Sequence, residues 1–317
     1  MSAITVEHLS KRYGELDALR DVSFEVPAGQ VVALLGPNGA GKTTTMEILE
    51  GYQQPSGGSA RVLGSEPRRA GRAWRARIGL VLQSTSLDAQ LTVREALGVY
   101  AGLFPRPREV GEVLDLTGLT GEAGTRVGQL SGGQRRRVDV GLGIIGRPEL
   151  LFLDEPTTGL DPAARRQAWT TVERLTADGT TVLLTTHYLE EAQQLADRVL
   201  VLAKGRLVAD AGPDELRTRG TLTKIRYPLP PGAPAADLRA ELAADVDPDV
   251  DADHGELLIH TTEVTAALHA LVGWAERHRI ELAGLEVGPP SLEDAYLALI
   301  NQLPGDSAAQ QEVPSHA

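Results

Sequence analysis

Five apolar residues in succession, Val31, Val32, Ala33, Leu34 and Leu35, run directly into Gly36, Pro37, Asn38, Gly39, Ala40, Gly41, Lys42 and Thr43. An apolar run with no polar interruption is the pattern of a strand buried on both faces. Residues 43–49 then read as a helix, with Gly51 as its stop signal. A buried strand that turns through a glycine-rich loop into a helix points to an α/β core with an anion cradle at one edge. The glycines let backbone N–H groups approach phosphate, and the N-terminal end of the helix adds its positive pole. Lys42 supplies a point charge for the β- and γ-phosphates of a nucleotide, and Thr43 a hydroxyl ligand for magnesium.

The rest of the chain supplies elements to build around that strand. Ile4 and Val6, then Val22, Phe24 and Val26, alternate as half-buried antiparallel strands, and a short strand near residues 60–63 completes their sheet. Residues 78–82 read as another buried strand. From residue 92 to about 146 the pattern is helical, punctuated by Pro105, Pro107, Gly118 and Gly128, as expected of a helical subdomain inserted into the core. Residues 150–153 and 181–185 return as short apolar strands, each followed by polar residues. Residues 199–203 and 206–210 flank Lys204 and Gly205 as a hairpin.

After Gly220 the character changes. Residues 227–235, YPLPPGAPA, read as a proline-rich connector. A strand at 257–260 follows, then a helix over 264–279 with Val264, Leu268, Leu271 and Ala275 on its apolar face. Residues 280–287 read as a further strand. The final helix, 291–300, has Ser291 as its cap and Asp294 in the reciprocal capping position. The polar stretch 303–317 is expected to be disordered.

Two more segments carry chemistry. The apolar run at 150–153 ends in Asp154 and Glu155, which places two carboxylates at the edge of a buried strand. There Asp154 would hold magnesium through water and Glu155 would polarise an attacking water as general base. A solvated carboxylate pair is the plain alternative, and the apolar run before it argues against that. The second segment is LSGGQ at residues 130–134, where Ser131, Gly132 and Gly133 at a helix N-terminus form a second anion site. Arg135, Arg136 and Arg137 just after it read as a solvated helix face, with charge complementarity to nucleotide as the sharper alternative. Asp161 before Pro162 marks a helix start, with an acidic cap and proline in the first turn.

The order of phosphate loop, LSGGQ, carboxylate pair and lone His187 resembles the ATPase subunits of ABC transporters, over roughly the first 215 residues. That resemblance implies a P-loop (RecA-like) α/β ATPase core with an antiparallel β subdomain and an inserted helical subdomain. It also implies ATP and Mg2+ as cofactors. Gly36, Pro37, Asn38, Gly39, Ala40, Gly41, Lys42, Thr43 and Thr44 would hold the phosphates, Lys42 acting in catalysis as well. Gln83 would contact magnesium and the attacking water, while its loop reports nucleotide state to a membrane subunit. His187 would sense the γ-phosphate, and Asp161 belongs to a loop at the subunit interface. Tyr13 would stack on adenine, an ordinary surface tyrosine being the alternative. Ser131, Gly132, Gly133 and Gln134 would close over the nucleotide held by a second copy, so that two chains arranged head to tail make two equivalent sites.

Residues 285–300, LEVGPPSLEDAYLALI, resemble the closing motif of ATPases from drug and antibiotic exporters of the daunorubicin-resistance type. The expected organisation is a nucleotide-binding domain at 1–219, with its helical subdomain at about 84–148, and a small C-terminal α/β regulatory or assembly domain at 220–302. The expected function is to power an exporter whose integral-membrane permease subunits are encoded separately. An importer ATPase, or a non-transport ABC protein acting on nucleic acid or ribosomes, is the alternative.

Composition bounds the partners. The 317 residues carry a formal net charge of −12, and that lacks the broad positive field that non-specific nucleic-acid binding needs. No cysteine is present, which excludes disulfides and thiolate metal sites. No apolar run approaches the ~20 residues that span a bilayer, and the start lacks the pattern of a signal peptide. The expected location is therefore the cytoplasmic face of the cell membrane, held there through the permease.

Overall fold

The computed structural model describes residues 2–82, 87–218, 223–230, 232–233, 248–251, 255–289 and 291–301. The chain divides into two compact units, Met1–Pro213 and Asp214–Ala317. The tail expected over 303–317 lies outside the described residues.

In the first unit the alternating N-terminal segments pair as antiparallel strands β1 (Ser2–Tyr13) and β2 (Leu16–Pro27). Ile4, Val6, Val22, Phe24 and Val26 are buried, the alternation of a sheet with one wet face. β3 (Val31–Leu35) is buried at every residue. It leads through the glycine-rich loop into α1 (Lys42–Glu50), which Gly51 ends at φ 85°. β4 (Gly57–Val62) returns to β1 and completes a three-stranded sheet in the order β2-β1-β4. A single-turn helix, α2 (Arg72–Arg75), precedes β5 (Ile78–Val81).

Three helices follow: α3 (Val93–Ala101), α4 (Val110–Leu116) and α5 (Gly132–Ile144). Capping boxes start two of them, Thr92 with Glu95 for α3 and Ser131 with Gln134 for α5, which fixes where each helix begins. The chain then runs through β6 (Leu150–Asp154), α6 (Pro162–Ala177), β7 (Thr181–Thr186), α7 (Leu189–Leu195), β8 (Arg198–Ala203), β9 (Arg206–Ala211) and α8 (Pro213–Thr218).

The central sheet has six strands in the order β5-β6-β7-β3-β8-β9. All neighbours are parallel except the β8–β9 hairpin. One face packs Leu34, Phe152, Leu183 and Leu200 against Met46 and Leu49 of α1 and Ile4 and Phe24 of the small sheet. Register sets the site. Leu35 lies beside Thr186, and Asp154 beside Thr185, so the loops after β3, β6 and β7 leave the sheet at one level. That carboxyl-terminal edge is where open α/β sheets bind ligands.

The second unit holds β10 (Thr223–Pro228), β11 (Pro248–Asp251), β12 (Glu256–Thr261), α9 (Val264–His278), β13 (Glu286–Gly288) and α10 (Leu292–Asn301). Its antiparallel sheet runs β11-β12-β10-β13. Ile225, Tyr227, Leu257 and Ile259 pack there against Ala267, Leu271, Trp274 and Ala275 of α9. Ser291 and Asp294 make the expected reciprocal cap, the Asp294 amide donating to Ser291 Oγ at 3.1 Å and the Ser291 amide to Asp294 Oδ2 at 2.8 Å.

Three expectations change in this unit. Tyr227 and Pro228, read as the start of a connector, are the last residues of β10; the Tyr227 ring is buried and its hydroxyl donates to Glu281 O at 3.0 Å. Pro228 is tolerated because β13 pairs only with residues 224–226 and asks no amide of it. The strand expected over 280–287 shrinks to Glu286–Gly288, since Leu285 N turns back to Leu282 O at 3.2 Å and Gly284 adopts φ 80°. The buried face of α9 is Ala267, Leu271, Trp274 and Ala275, which leaves Val264 and Leu268 at its margin.

Candidate nucleotide site

The glycine-rich loop is shaped by close approaches that only glycine allows. Gly41 adopts φ 106°, and a Cβ there would meet Leu19 Cδ2 at 2.6 Å and Ala18 O at 2.8 Å. A Cβ on Gly36 would overlap the Leu202 carbonyl and lie 2.9 Å from Ala40 Cβ. The loop delivers Lys42 to the first position of α1, where it is buried. Its Nζ donates to Gly36 O at 2.6 Å and Pro37 O at 3.2 Å. Burial pulls the pKa of this ammonium down, and the carboxylates of Glu155 and Asp154 oppose the shift. Thr43 is exposed on the same first turn and Thr44 is half-buried beside it.

Asp154 and Glu155 leave the end of β6 in different environments. Thr185 Oγ1 donates to Asp154 Oδ1 at 2.5 Å and accepts from the Glu155 amide at 3.1 Å, so one hydroxyl fixes both residues. Glu155 adopts φ 45°, a left-handed conformation that few non-glycine residues take. Its amide also donates to Thr185 O at 3.1 Å, and Thr158 Oγ1 donates to its Oε2 at 3.1 Å. His187 Nδ1 lies 3.3 Å from Glu155 Oε1, with the carboxylate more shielded from solvent than the imidazole. Lys42, Asp154, Glu155 and His187 therefore converge on one sheet edge from three separate strands.

LSGGQ begins another helix. Ser131 is the N-cap of α5, and its hydroxyl accepts from the Gln134 amide at 3.2 Å. The Gln134 side chain is held at both ends: Oε1 accepts from Ser131 N at 2.9 Å, and Nε2 donates to Glu122 Oε1 at 3.1 Å. Ser131 and Gly132 are exposed, while Gly133 nestles against α6, where its Cβ would lie 3.5 Å from Ala164 Cβ. Asp161 caps α6 by accepting from the amides of Ala163 and Ala164, both at 2.9 Å. Tyr13 ends β1 with its ring half-exposed and Lys11 Nζ 4.8 Å from its centroid. Gln83 lies outside the described residues.

The arginine run after LSGGQ departs from the solvated face expected of it. Arg135 is exposed, but Arg136 is buried and Arg137 donates to Gly118 O at 2.7 Å. Arg136 reaches the backbone around Asp154 and Glu155 rather than solvent or an open nucleotide cleft. Thr185 is a further participant that the motifs did not indicate. Glu191 on α7 is fully buried, and burial pushes its carboxyl up against the opposing hydroxyls of Thr186 and Thr157 and the Trp169 indole. The signal available in the sequence was modest: polar residues at the ends of apolar strands and helices.

The family described as ABC transporter matches residues 19–158, and one described as ABC transporter domain-containing protein-like, C-terminal domain, matches residues 223–291. The daunorubicin resistance ATP-binding protein DrrA2 of Streptomyces coeruleorubidus is 39% identical, over 98% of this chain and 98% of that one. Nod factor export ATP-binding protein I of Paraburkholderia xenovorans is 37% identical, over 94% and 97% of the two chains. Among solved structures, an ATP-binding subunit of an ABC transporter aligns with a TM-score of 0.63 at 28% identity, covering 69% of this chain and 93% of that one.

Proposed function

The chain belongs to the ATP-binding subunits of ABC transporters and is an ATPase, and from that premise we propose that it powers export of a drug, antibiotic or other hydrophobic compound through a separately encoded permease. The observation that carries the hydrolytic part is the 3.3 Å approach of His187 to Glu155 at the edge that also holds Lys42 and Asp154. The export direction is supported by the names of the relatives, one for drug resistance and one for Nod factor export.

In this reading residues 36–44 cradle the phosphates of ATP through backbone amides and the pole of α1, with Lys42 exchanging loop carbonyls for phosphate oxygens. Glu155 accepts the proton of the attacking water, and His187 stands beside it to meet the γ-phosphate. Among the described residues no three His, Cys, Asp or Glu side chains form a metal cluster by themselves. The Thr43 hydroxyl and Asp154 carboxylate instead offer an oxygen-only set that suits magnesium completed by phosphate oxygens and water. Bound there, magnesium would neutralise charge developing on the phosphates. Gln83 would complete that set, Tyr13 would stack on adenine, and Asp161 would face the subunit interface. Ser131 and the following glycines would act on the ATP of a second copy, giving a head-to-tail homodimer. The proposed domains are 1–219 for nucleotide and 220–302 for regulation or assembly.

Among the described residues no helix is long and apolar enough to cross a membrane. Tyr52, Leu82 and Leu103 are exposed around a cleft of about 670 Å³ in the first unit, and this apolar rim suits a permease segment. Docking there would hold the chain at the cytoplasmic face of the membrane.

Glu155→Gln tests the chemistry. It should keep ATP binding while slowing hydrolysis at least ~100-fold, the scale of a lost general base. Near-normal turnover would remove Glu155 from that role. The same variant should trap an ATP-dependent dimer on size exclusion, which Ser131→Arg added to it should abolish. Direction is tested in the complex with its permease: export requires no solute-binding protein for compound-stimulated turnover, and such a requirement would favour import.

A further inference from the structure

Arg136 lies two residues beyond the LSGGQ motif, on α5, and is only 8% exposed. Its guanidinium donates to backbone carbonyls in two separate segments. Nη1 binds Leu82 O, just after β5. Nε binds Pro156 O at 3.1 Å, and Nη2 binds Asp154 O at 2.7 Å and Glu155 O at 3.2 Å. Burial pulls its pKa down, opposed by the carboxylates of Asp139, Asp154, Glu191 and Glu155. A charge this deep is weak evidence of stabilisation, because apolar replacements of the same shape often serve stability as well. Specific placement is the better account of it. A planar fork reaches carbonyls on both segments at once, which the compact ammonium of a lysine does poorly.

The contacted backbone includes a non-glycine residue in the left-handed region. Glu155 holds φ 45°, and a peptide rotation there would swing its carboxylate away from the position of an attacking water. We propose that Arg136 is a positioning residue for hydrolysis: it fixes the backbone of residues 154–156, and with it the Glu155 carboxylate, by reference to the helix that Ser131 begins. The inference rests on the reading of Glu155 as general base and of Ser131 as a group acting on the partner's nucleotide. In that arrangement Arg136 ties a contact made on one nucleotide to the base that serves the other.

The test compares Arg136→Met and Arg136→Lys with the parent in the full-length chain. ATP affinity is measured with a fluorescent ATP analogue, and turnover is expressed per nucleotide-binding site. Arg136→Met should lower kcat by about 10- to 100-fold, as misplaced catalytic groups do. Affinity and the KM for ATP should stay within about three-fold, since no transition-state-independent contact is lost. Arg136→Lys should fall between the two. A purely structural role would reduce the number of binding sites and the melting temperature but leave kcat per site near the parent value. A folded Arg136→Met protein with parental kcat per site overturns the proposal. If that variant does not fold, Arg136→Lys decides by the same criterion, and failure of both to bind ATP assigns Arg136 to folding alone. Glu155→Gln run alongside separates the two readings. If it also turns over normally, the assignment of the base is at fault; if it is slow while both Arg136 variants are normal, only the positioning role falls.

Discussion

Thr185 bridges the residue proposed to hold magnesium and the residue proposed to activate water, donating to Asp154 Oδ1 at 2.5 Å and accepting from Glu155 N at 3.1 Å. Valine would keep its shape and lose both bonds. With the Asp154 carboxylate free to rotate, Thr185→Val should raise the magnesium concentration for half-maximal turnover by about 10-fold, equivalent to the ~1.4 kcal/mol of one charged hydrogen bond. ATP binding measured in EDTA should not change, and a parental magnesium dependence would show that Thr185 does not orient the ligand. Lys42 and Asp154 stood out in the sequence because a glycine-rich loop or an apolar run leads straight into each, whereas His187 was singled out only through the family resemblance. Thr185 and Arg136 were not, for a physical reason: their partners are backbone atoms or side chains 18 to 54 positions away. Distant backbone carbonyls leave no mark on residue type.

At the scale of elements, α1 carries a conflict at its far end. Glu50 sits in the last turn, where the carbonyl pole already disfavours a negative charge. Burial, followed by the charges of Asp154 and Glu47, pushes its carboxyl up to about 7. The native chain therefore binds this proton more tightly than the unfolded chain, whose ordinary value is 4.5. The stabilising contribution is present below about pH 4.5 and is lost as pH rises through about 7. Glu50→Gln should then be more stable than the parent at pH 8, by about 3 kcal/mol, with the advantage vanishing towards pH 4.5. Urea unfolding followed by circular dichroism across that range measures it, and equal curves at pH 8 would contradict the conflict. Elements with a local signature were readable in this way: the capping residues Ser131 and Ser291 sit where their helices begin, and β3 is buried throughout. The strand expected over 280–287 failed because a turn at Gly284, not apolar content, decides where the backbone extends. Tyr227 was misjudged because nearby prolines hid a core residue whose neighbours, Leu257 and Trp274, lie far along the chain.

At the scale of the whole molecule, the residues proposed for nucleotide chemistry all fall within Met1–Pro213. A chain ending near residue 219 should thus keep its ATP affinity and its docking on the permease through the first unit, while losing any dimer it forms without nucleotide. Loss of affinity in a truncated protein with native circular dichroism would instead give the second unit a share in the site. Where such a cut falls matters more than how much it removes. β10, the first strand of the second unit, is flanked by β12 on one side and on the other only by the three residues of β13, Glu286–Gly288. A chain stopped at residue 285 would retain most of that unit yet strip the cover from β10, leaving a row of unsatisfied amides and carbonyls free to recruit the same strand of another molecule. Trimming the last thirty-odd residues is therefore a route to self-association, whereas a chain ending before β10 keeps none of that sheet and leaves no such template. Light scattering of the chains ending at 285 and at 219 should rank the shorter one as the more soluble.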